Sequence, residues 1–187
     1  APLARQRFEL LVEQYCRFHE NTCVAATRYS NITQQQDDIE IALAILLEEL
    51  GNSRATFGPR SEEVSTDLNN LGNLYTDMGR FPDAVECLEE AIDIREEIFG
   101  TYHERTATSQ NNLGLVLNEL EDYVGAEKIL RLALESRLQL FGARSVYTST
   151  TQNNLAICLT GIGSDKHQEE VGDLRLSCYE TRRDILG

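Results

Sequence analysis

Leu68-Asn69-Asn70-Leu71-Gly72 returns as Gln110-Asn111-Asn112-Leu113-Gly114 and again as Gln152-Asn153-Asn154-Leu155-Ala156, each copy 42 residues after the last. A fixed period of about 40 marks an array of stacked supersecondary units, not one central core. Gly58, Gly100 and Gly142 keep the same 42-residue step, whereas Gly187 follows Gly142 by 45. The three extra residues are expected in Gly161-Ile162-Gly163-Ser164-Asp165-Lys166, because loops absorb insertions at the least cost. Phe57-Gly58 carries the register backwards, so Ala42, Leu46 and Leu50 align with Ala84, Leu88 and Ile92. The expected division is 1–57 (N-terminal helices with one degenerate unit), then repeats at 58–100, 101–142 and 143–187.

Within each unit the signals are helical. Ser61-Glu62-Glu63 supplies a cap hydroxyl and first-turn acids for a helix to about Met78. Gly79 supplies the closing left-handed residue, and Pro82 opens the next helix, which runs to Phe99. The second unit predicts helices over 102–120 and 123–141, the third over 146–159 and 167–186. Upstream, apolar spacing predicts helices over 3–18 and 23–32. A third, over 39–57, is apolar nearly all round and so expected to be buried.

Leu68, Leu71, Gly72 and Tyr75 share one helical face. The small residue (Gly72, Gly114, Ala156) admits a partner helix, and Ala84, Leu88 and Ala91 face back. One hairpin cannot bury enough to offset the ordering of about 40 residues, so stability is collective. A second face carries Thr66, Asn69, Asn70 and Asn73, with counterparts Thr108, Asn111 and Asn112, then Thr150, Asn153 and Asn154. Asparagine is a poor helix former, so local propensity does not explain its return. Its carboxamides either bond neighbouring helices inside the stack or hold the backbone of a bound peptide, or one Asn of each pair does each.

Composition narrows the function. Seventeen basic against 31 acidic side chains give a net charge of −14, which repels nucleic acid and anionic membrane surfaces. No apolar run approaches the roughly 20 residues of a membrane span. The partner expected is therefore protein, with no nucleic acid and no direct membrane insertion. Cys87 and Cys158 read as buried reduced thiols, and Cys16 and Cys23 flank a turn that could bring them together. His19, His103 and His167 share no metal-ligand spacing, so surface or capping roles are expected. No catalytic residue, metal or cofactor is expected. The chain opens Ala1-Pro2-Leu3 without methionine, as a processed protein or a stretch of a longer one would. The expected location is intracellular, in the cytoplasm or in an organelle after loss of a targeting segment.

Leu-Asn-Asn-Leu-Gly-x-Leu-Tyr, Gly-Arg-Phe-x-x-Ala (Gly79 to Ala84) and Ala-Ile-x-Ile-Arg-Glu-x-x-x-Gly (Ala91 to Gly100) together resemble the 42-residue tetratricopeptide repeat of kinesin light chains and nephrocystin-like proteins, over about residues 58–187. The resemblance implies an all-α, right-handed α-solenoid of antiparallel hairpins whose first helices line a concave groove for extended peptides or helices. The groove positions that carry over are Asn69, Asn70, Asn73, Asn111, Asn112, Asn153 and Asn154. Chaperone-binding members place lysine and arginine there to clamp a carboxylate. Here Asn and Thr stand there with Asp77 and Glu119 nearby, so a neutral or basic segment fits better than an acidic one.

The leading expectation is a noncatalytic scaffold or adaptor that grips a partner polypeptide in the Asn-lined groove. A second is a structural subunit of a large assembly, with a neighbour covering Leu174, Leu176, Tyr179 and Ile185 on the last hairpin. A third is the sensor arm of a longer signalling protein.

Overall fold

The computed structural model describes residues 36–186; the helices expected over 3–18 and 23–32, Cys16, Cys23 and His19 lie outside them. The described chain is a run of helices: α1 (Gln36–Phe57), α2 (Glu62–Asp77), α3 (Phe81–Phe99), α4 (Glu104–Glu119), α5 (Tyr123–Phe141), α6 (Val146–Ile162) and α7 (Gln168–Leu186), with a short 3-10 turn (Asp165–His167) before α7. Each helix packs on the next, and α2–α3, α4–α5 and α6–α7 form antiparallel hairpins. First helices also touch one another directly, α2 with α4 and α4 with α6. The second helices meet instead through exposed ion pairs, Arg54 with Glu90 and Arg131 with Glu170, so the more closely packed first helices form the inner layer of an all-α solenoid.

The starts and stops follow local chemistry. Ser61 accepts a hydrogen bond from the Val64 amide at 3.3 Å, and His103 and Ser145 accept from the amides of Arg105 and Tyr147. His103 is thus a capping residue, stacked on Phe99 with ring centroids 4.5 Å apart. Gly79 and Gly163 take positive φ (70° and 68°) at the ends of α2 and α6. At the same register position α4 ends through Glu121, with φ 60°. The third unit departs from expectation here: α6 runs on through Gly161 to Ile162. Gly163 keeps the phase of the repeat, and the inserted length becomes the 3-10 turn. The Tyr123 ring packs where a Cβ on Gly161 would sit, so this extra turn of α6 lies close against α5.

The core follows the small-to-large pairing. Ala84, Leu88 and Ala91 are fully buried, as are Ala126, Leu130 and Ala133 one unit on. A Cβ on Gly72 would stand 2.6 Å from Leu88 Cγ, and one on Gly114 would strike Leu130 harder still. Burying each leucine contributes roughly 1.5–3 kcal/mol, spread over two clusters that meet along the array at Leu117 and Ile129. The helix over 36–57 corrects one expectation. It buries Ala42, Leu43, Leu46 and Leu50, but Leu47 is 46% exposed, so the helix packs its apolar residues on one side only. On the last hairpin Leu174 is already buried in the chain's own core and cannot be covered by a neighbour, whereas Leu176 and Tyr179 are exposed. The Ile185 side chain lies outside the described ones.

Candidate partner-binding face

The inner helices treat their paired asparagines differently. Asn69 and Asn111 are buried. The Ser109 hydroxyl donates to Asn69 Oδ1 at 2.8 Å, and the Thr151 hydroxyl donates to Asn111 Oδ1 at 2.9 Å. The second Asn of the following helix joins them: Asn112 Nδ2 donates to Asn69 at 3.4 Å and Asn154 Nδ2 to Asn111 at 3.2 Å.

Behind each cluster stands a buried arginine on the second helix. Arg95 Nη1 donates to the Arg105 carbonyl and to Ser109 Oγ, both at 2.8 Å. Arg137 Nη1 donates to the Tyr147 carbonyl at 2.8 Å and to Thr151 Oγ1 at 2.7 Å. Every participant has its counterpart one repeat away: 69 and 111, 95 and 137, 105 and 147, 109 and 151, 112 and 154. Both guanidinium pKa values are lowered by burial, Arg95 to about 10, and Arg105 lowers Arg95 further. Each cation is held by oxygens of neutral groups, whose loss would strand a buried charge. The chain's repeat therefore includes a polar relay at the α3–α4 and α5–α6 junctions. The arginines and the hydroxyls at 109 and 151 recur visibly in the sequence, but arginine reads there as an exposed helix residue. Only the tertiary contact shows otherwise.

The inner layer also carries asparagines that solvent reaches, Asn112 among them although it serves the relay as well. Asn70, Asn73, Asn112 and Asn153 are half-buried on the inner layer. Thr66, Asn70, Asn73 and Asp77 form one stripe on α2; Thr108, Asn112, Leu115 and Glu119 continue it on α4, and Thr150, Asn154 and Ile157 on α6. Asn112 Nδ2 also donates to Asn73 Oδ1 at 2.9 Å, tying the first two stripes together. The threonine hydroxyls each donate to the carbonyl four residues back (Glu62, Glu104 and Val146), which leaves their methyls and lone pairs to the surface. Leu115 is 37% and Ile157 47% exposed, so the stripe grows more apolar from α2 to α6. Of the ten sequence-derived positions, Asn69, Asn111 and Asn154 are thus buried between repeats, and the other seven reach solvent to some degree.

Of the described cysteines, Cys158 and Cys178 are buried and Cys87 is half-buried. Burial pushes the Cys87 and Cys158 thiols up to about 11. Cys158 Sγ donates to the Tyr123 carbonyl at 3.0 Å. Among the described residues no three His, Cys, Asp or Glu side chains group as metal ligands, and no helix is long and apolar enough to cross a membrane.

Comparison with known proteins agrees with this architecture. A family model described as "Tetratricopeptide repeat" matches residues 21–97, 67–139 and 105–167. No curated protein matches significantly. Among solved structures, BtubC (BKLC) from P. vanneervenii superposes with a TM-score of 0.73 at 22% identity, covering 98% of this chain and 75% of that one. The nearly identical TPR-like repeats of a proposed kinesin light chain from Podosopora anserina give a TM-score of 0.67 at 16% identity, covering 97% and 88%. A single-substitution form of the same protein gives 0.69 at 16% identity, covering 96% and 89%.

Proposed function

The chain belongs to the tetratricopeptide repeat family, whose arrays mediate protein–protein interaction, and from that premise we propose that it is a noncatalytic scaffold gripping a partner polypeptide along the inner stripe. The observation that carries this reading is the half-buried row Asn70, Asn73 and Asn112. Asn69 already serves the stack, yet further carboxamides stand beside it on the open side of the same layer. A carboxamide offers both a donor and an acceptor, the combination that matches an extended backbone or an uncapped helix end. Asp77 and Glu119 at the far end of the stripes favour a neutral or basic segment over an acidic one. We assign the repeats to 58–100, 101–142 and 143–187, with the binding positions drawn from all three.

Peptides selected on the full chain from a display library would test this. Their affinity should fall roughly tenfold or more when Asn70, Asn73 and Asn112 are replaced together by alanine, since two or three hydrogen bonds of about 1 kcal/mol each are lost. Far-ultraviolet circular dichroism should not change. Selected peptides that are acidic, or that bind the triple variant as well as the parent, would place the partner elsewhere. The alternative role, a structural subunit of a larger assembly, draws support from Leu176 and Tyr179, which are 57% and 65% exposed on α7.

A further inference from the structure

We infer that the inner stripe takes a segment of mixed chemistry: an extended stretch with lysine or arginine over α2 and α4, and an aliphatic or aromatic residue about three positions away, over α4 and α6. This deepens the proposed binding face and rests on it. The stripe is four positions long on each inner helix, and its rows run across the repeats. Thr66, Thr108 and Thr150 form one row, and Asn70, Asn112 and Asn154 the next. Those rows keep their chemistry along the array. The other two do not: Asn73 gives way to Leu115 and Ile157, and Asp77 to Glu119 and then Gly161.

The acidic end has no counter-charge of its own. Asp77 and Glu119 are exposed, and neither belongs to an ion pair among the described residues. The arginines are engaged elsewhere. Arg54 pairs with Glu90, Arg80 with Asp83 and Arg131 with Glu170, all away from the inner helices. The inner helices hold one basic residue, Arg105, which sits at the start of α4 and pairs with Glu62. Burial also raises the Asp77 carboxyl above its ordinary pKa, with no cation to offset it. A cationic side chain arriving there meets two uncompensated carboxylates one repeat apart.

The other end is apolar. Leu115 and Ile157 are exposed at successive places in one row, where the first unit has Asn73. In the acidic row the Tyr123 ring stands where a Cβ on Gly161 would be, so an aromatic ring takes over from the carboxylates. Two aliphatic side chains and a ring at one end of the stripe form an anchor point for an apolar residue. Packed helices stand roughly 10 Å apart and an extended chain advances about 3.3 Å per residue. The acid pair and the apolar pair are offset by one repeat, hence the interval of about three residues.

A net charge of −14 attracts any basic peptide, so the test reads pairing as well as affinity. The probe is the capped, fluorescently labelled peptide Gly-Ser-Lys-Lys-Ser-Leu-Leu-Ser-Gly, titrated against the full chain. Replacing its lysines by glutamine should weaken binding to the parent roughly tenfold, but binding to Asp77→Asn/Glu119→Gln less than about twofold. Replacing its leucines by alanine should weaken binding to the parent roughly tenfold, but binding to Leu115→Asn/Ile157→Asn less than about twofold. The crossed combinations should keep the full effect, which also shows that each variant retains its fold. Absence of saturable binding to the parent, or losses of equal size on every variant, would overturn the inference. The Asn70, Asn73 and Asn112 triple variant separates it from the reading beneath. A probe that responds to the triple variant but to neither pair removes the mixed ligand and leaves the binding face standing; a probe indifferent to all three removes both.

Discussion

The junction between α1 and α2 and the junction between the α2–α3 hairpin and α4 occupy the same place in successive units, and they solve the same packing problem with opposite chemistry. At the later junction a buried arginine, Arg95, donates to a hydroxyl, Ser109. One repeat earlier the arginine position holds Ser53 and the hydroxyl position Asp67. The Ser53 hydroxyl now faces a carboxylate, and burial raises the Asp67 pKa against that hydrogen bond while Glu63 raises it further. The Oδ2 atom of Asp67 is itself buried with no hydrogen-bond partner. The hydrophobic register, Leu46 for Leu88 and Leu50 for Ile92, is kept at both junctions. Stacking thus depends on the apolar ladder, and the polar relay adds register and stability where it is complete.

The contrast can be broken from its strong side first. Arg95→Met should cost about 3 kcal/mol, since it removes a charged donor from the Arg105 carbonyl, Ser109 and Asn69 at once. Arg182→Met, on the exposed face of α7, should stay within about 0.5 kcal/mol in the same denaturant titration. Equal losses would mean that the arginines act through general charge and not through the junction.

Gly72→Ala addresses the apolar ladder that both junctions share. The new methyl meets Leu88 at 2.6 Å and the Ala84 carbonyl at 3.4 Å, so roughly 1–3 kcal/mol of overpacking should appear as a lower urea midpoint. Ala156 already fills the corresponding place in the third unit, where the insertion precedes the facing helix.

Glu121→Gly should move the other way. Gly79 and Gly163 fill the corresponding position in the flanking units. A left-handed residue with a side chain costs roughly 1–2 kcal/mol, a penalty that glycine escapes. Thermal unfolding should show a gain of about 1 kcal/mol; a loss would mean that the Glu121 side chain has a compensating contact.

The smallest effect belongs to the worn junction. Asp67 has a folded-state pKa above its unfolded value. Its favourable contribution is therefore complete below the unfolded pKa and is lost as pH rises through the folded one. Asp67→Asn should raise Tm at pH 7, and the advantage should shrink as pH is lowered through the carboxylate range. An advantage that stays constant with pH would remove burial as its cause.

The sequence made the solenoid legible because its evidence was redundant: glycines, caps, small-large pairs and the Leu-Asn-Asn-Leu core all kept one period. Helix ends agreed within a few residues, and one miss, the extension of α6 through Gly161, involves a contact with Tyr123 on the preceding helix. The candidate face was only half legible. Periodicity showed that asparagines recur but could not say which member of each pair faces the stack, since neighbouring positions such as 69 and 70 differ by only about 100° around the helix. The relay arginines were visible as letters in a recurring motif, and their burial was not. An arginine enclosed by neutral oxygens from two helices is a property of the junction, absent from either helix alone.

The central claim is that Asn69 and Asn111 hold the stack, while Asn70, the next residue on the same inner helix as Asn69, is left for a partner. Denaturant unfolding of Asn111→Ala beside Asn70→Ala tests it most directly. Asn111→Ala strips the acceptor from Thr151 and Asn154 in a buried site. Thr151 keeps the Tyr147 carbonyl, but the buried Asn154 amide loses its acceptor, which should cost about 2 kcal/mol. Asn70 is half-buried and outside the relay. Its replacement by alanine should change stability by less than about 0.5 kcal/mol. Equal losses, or the reverse order, would contradict the division of labour.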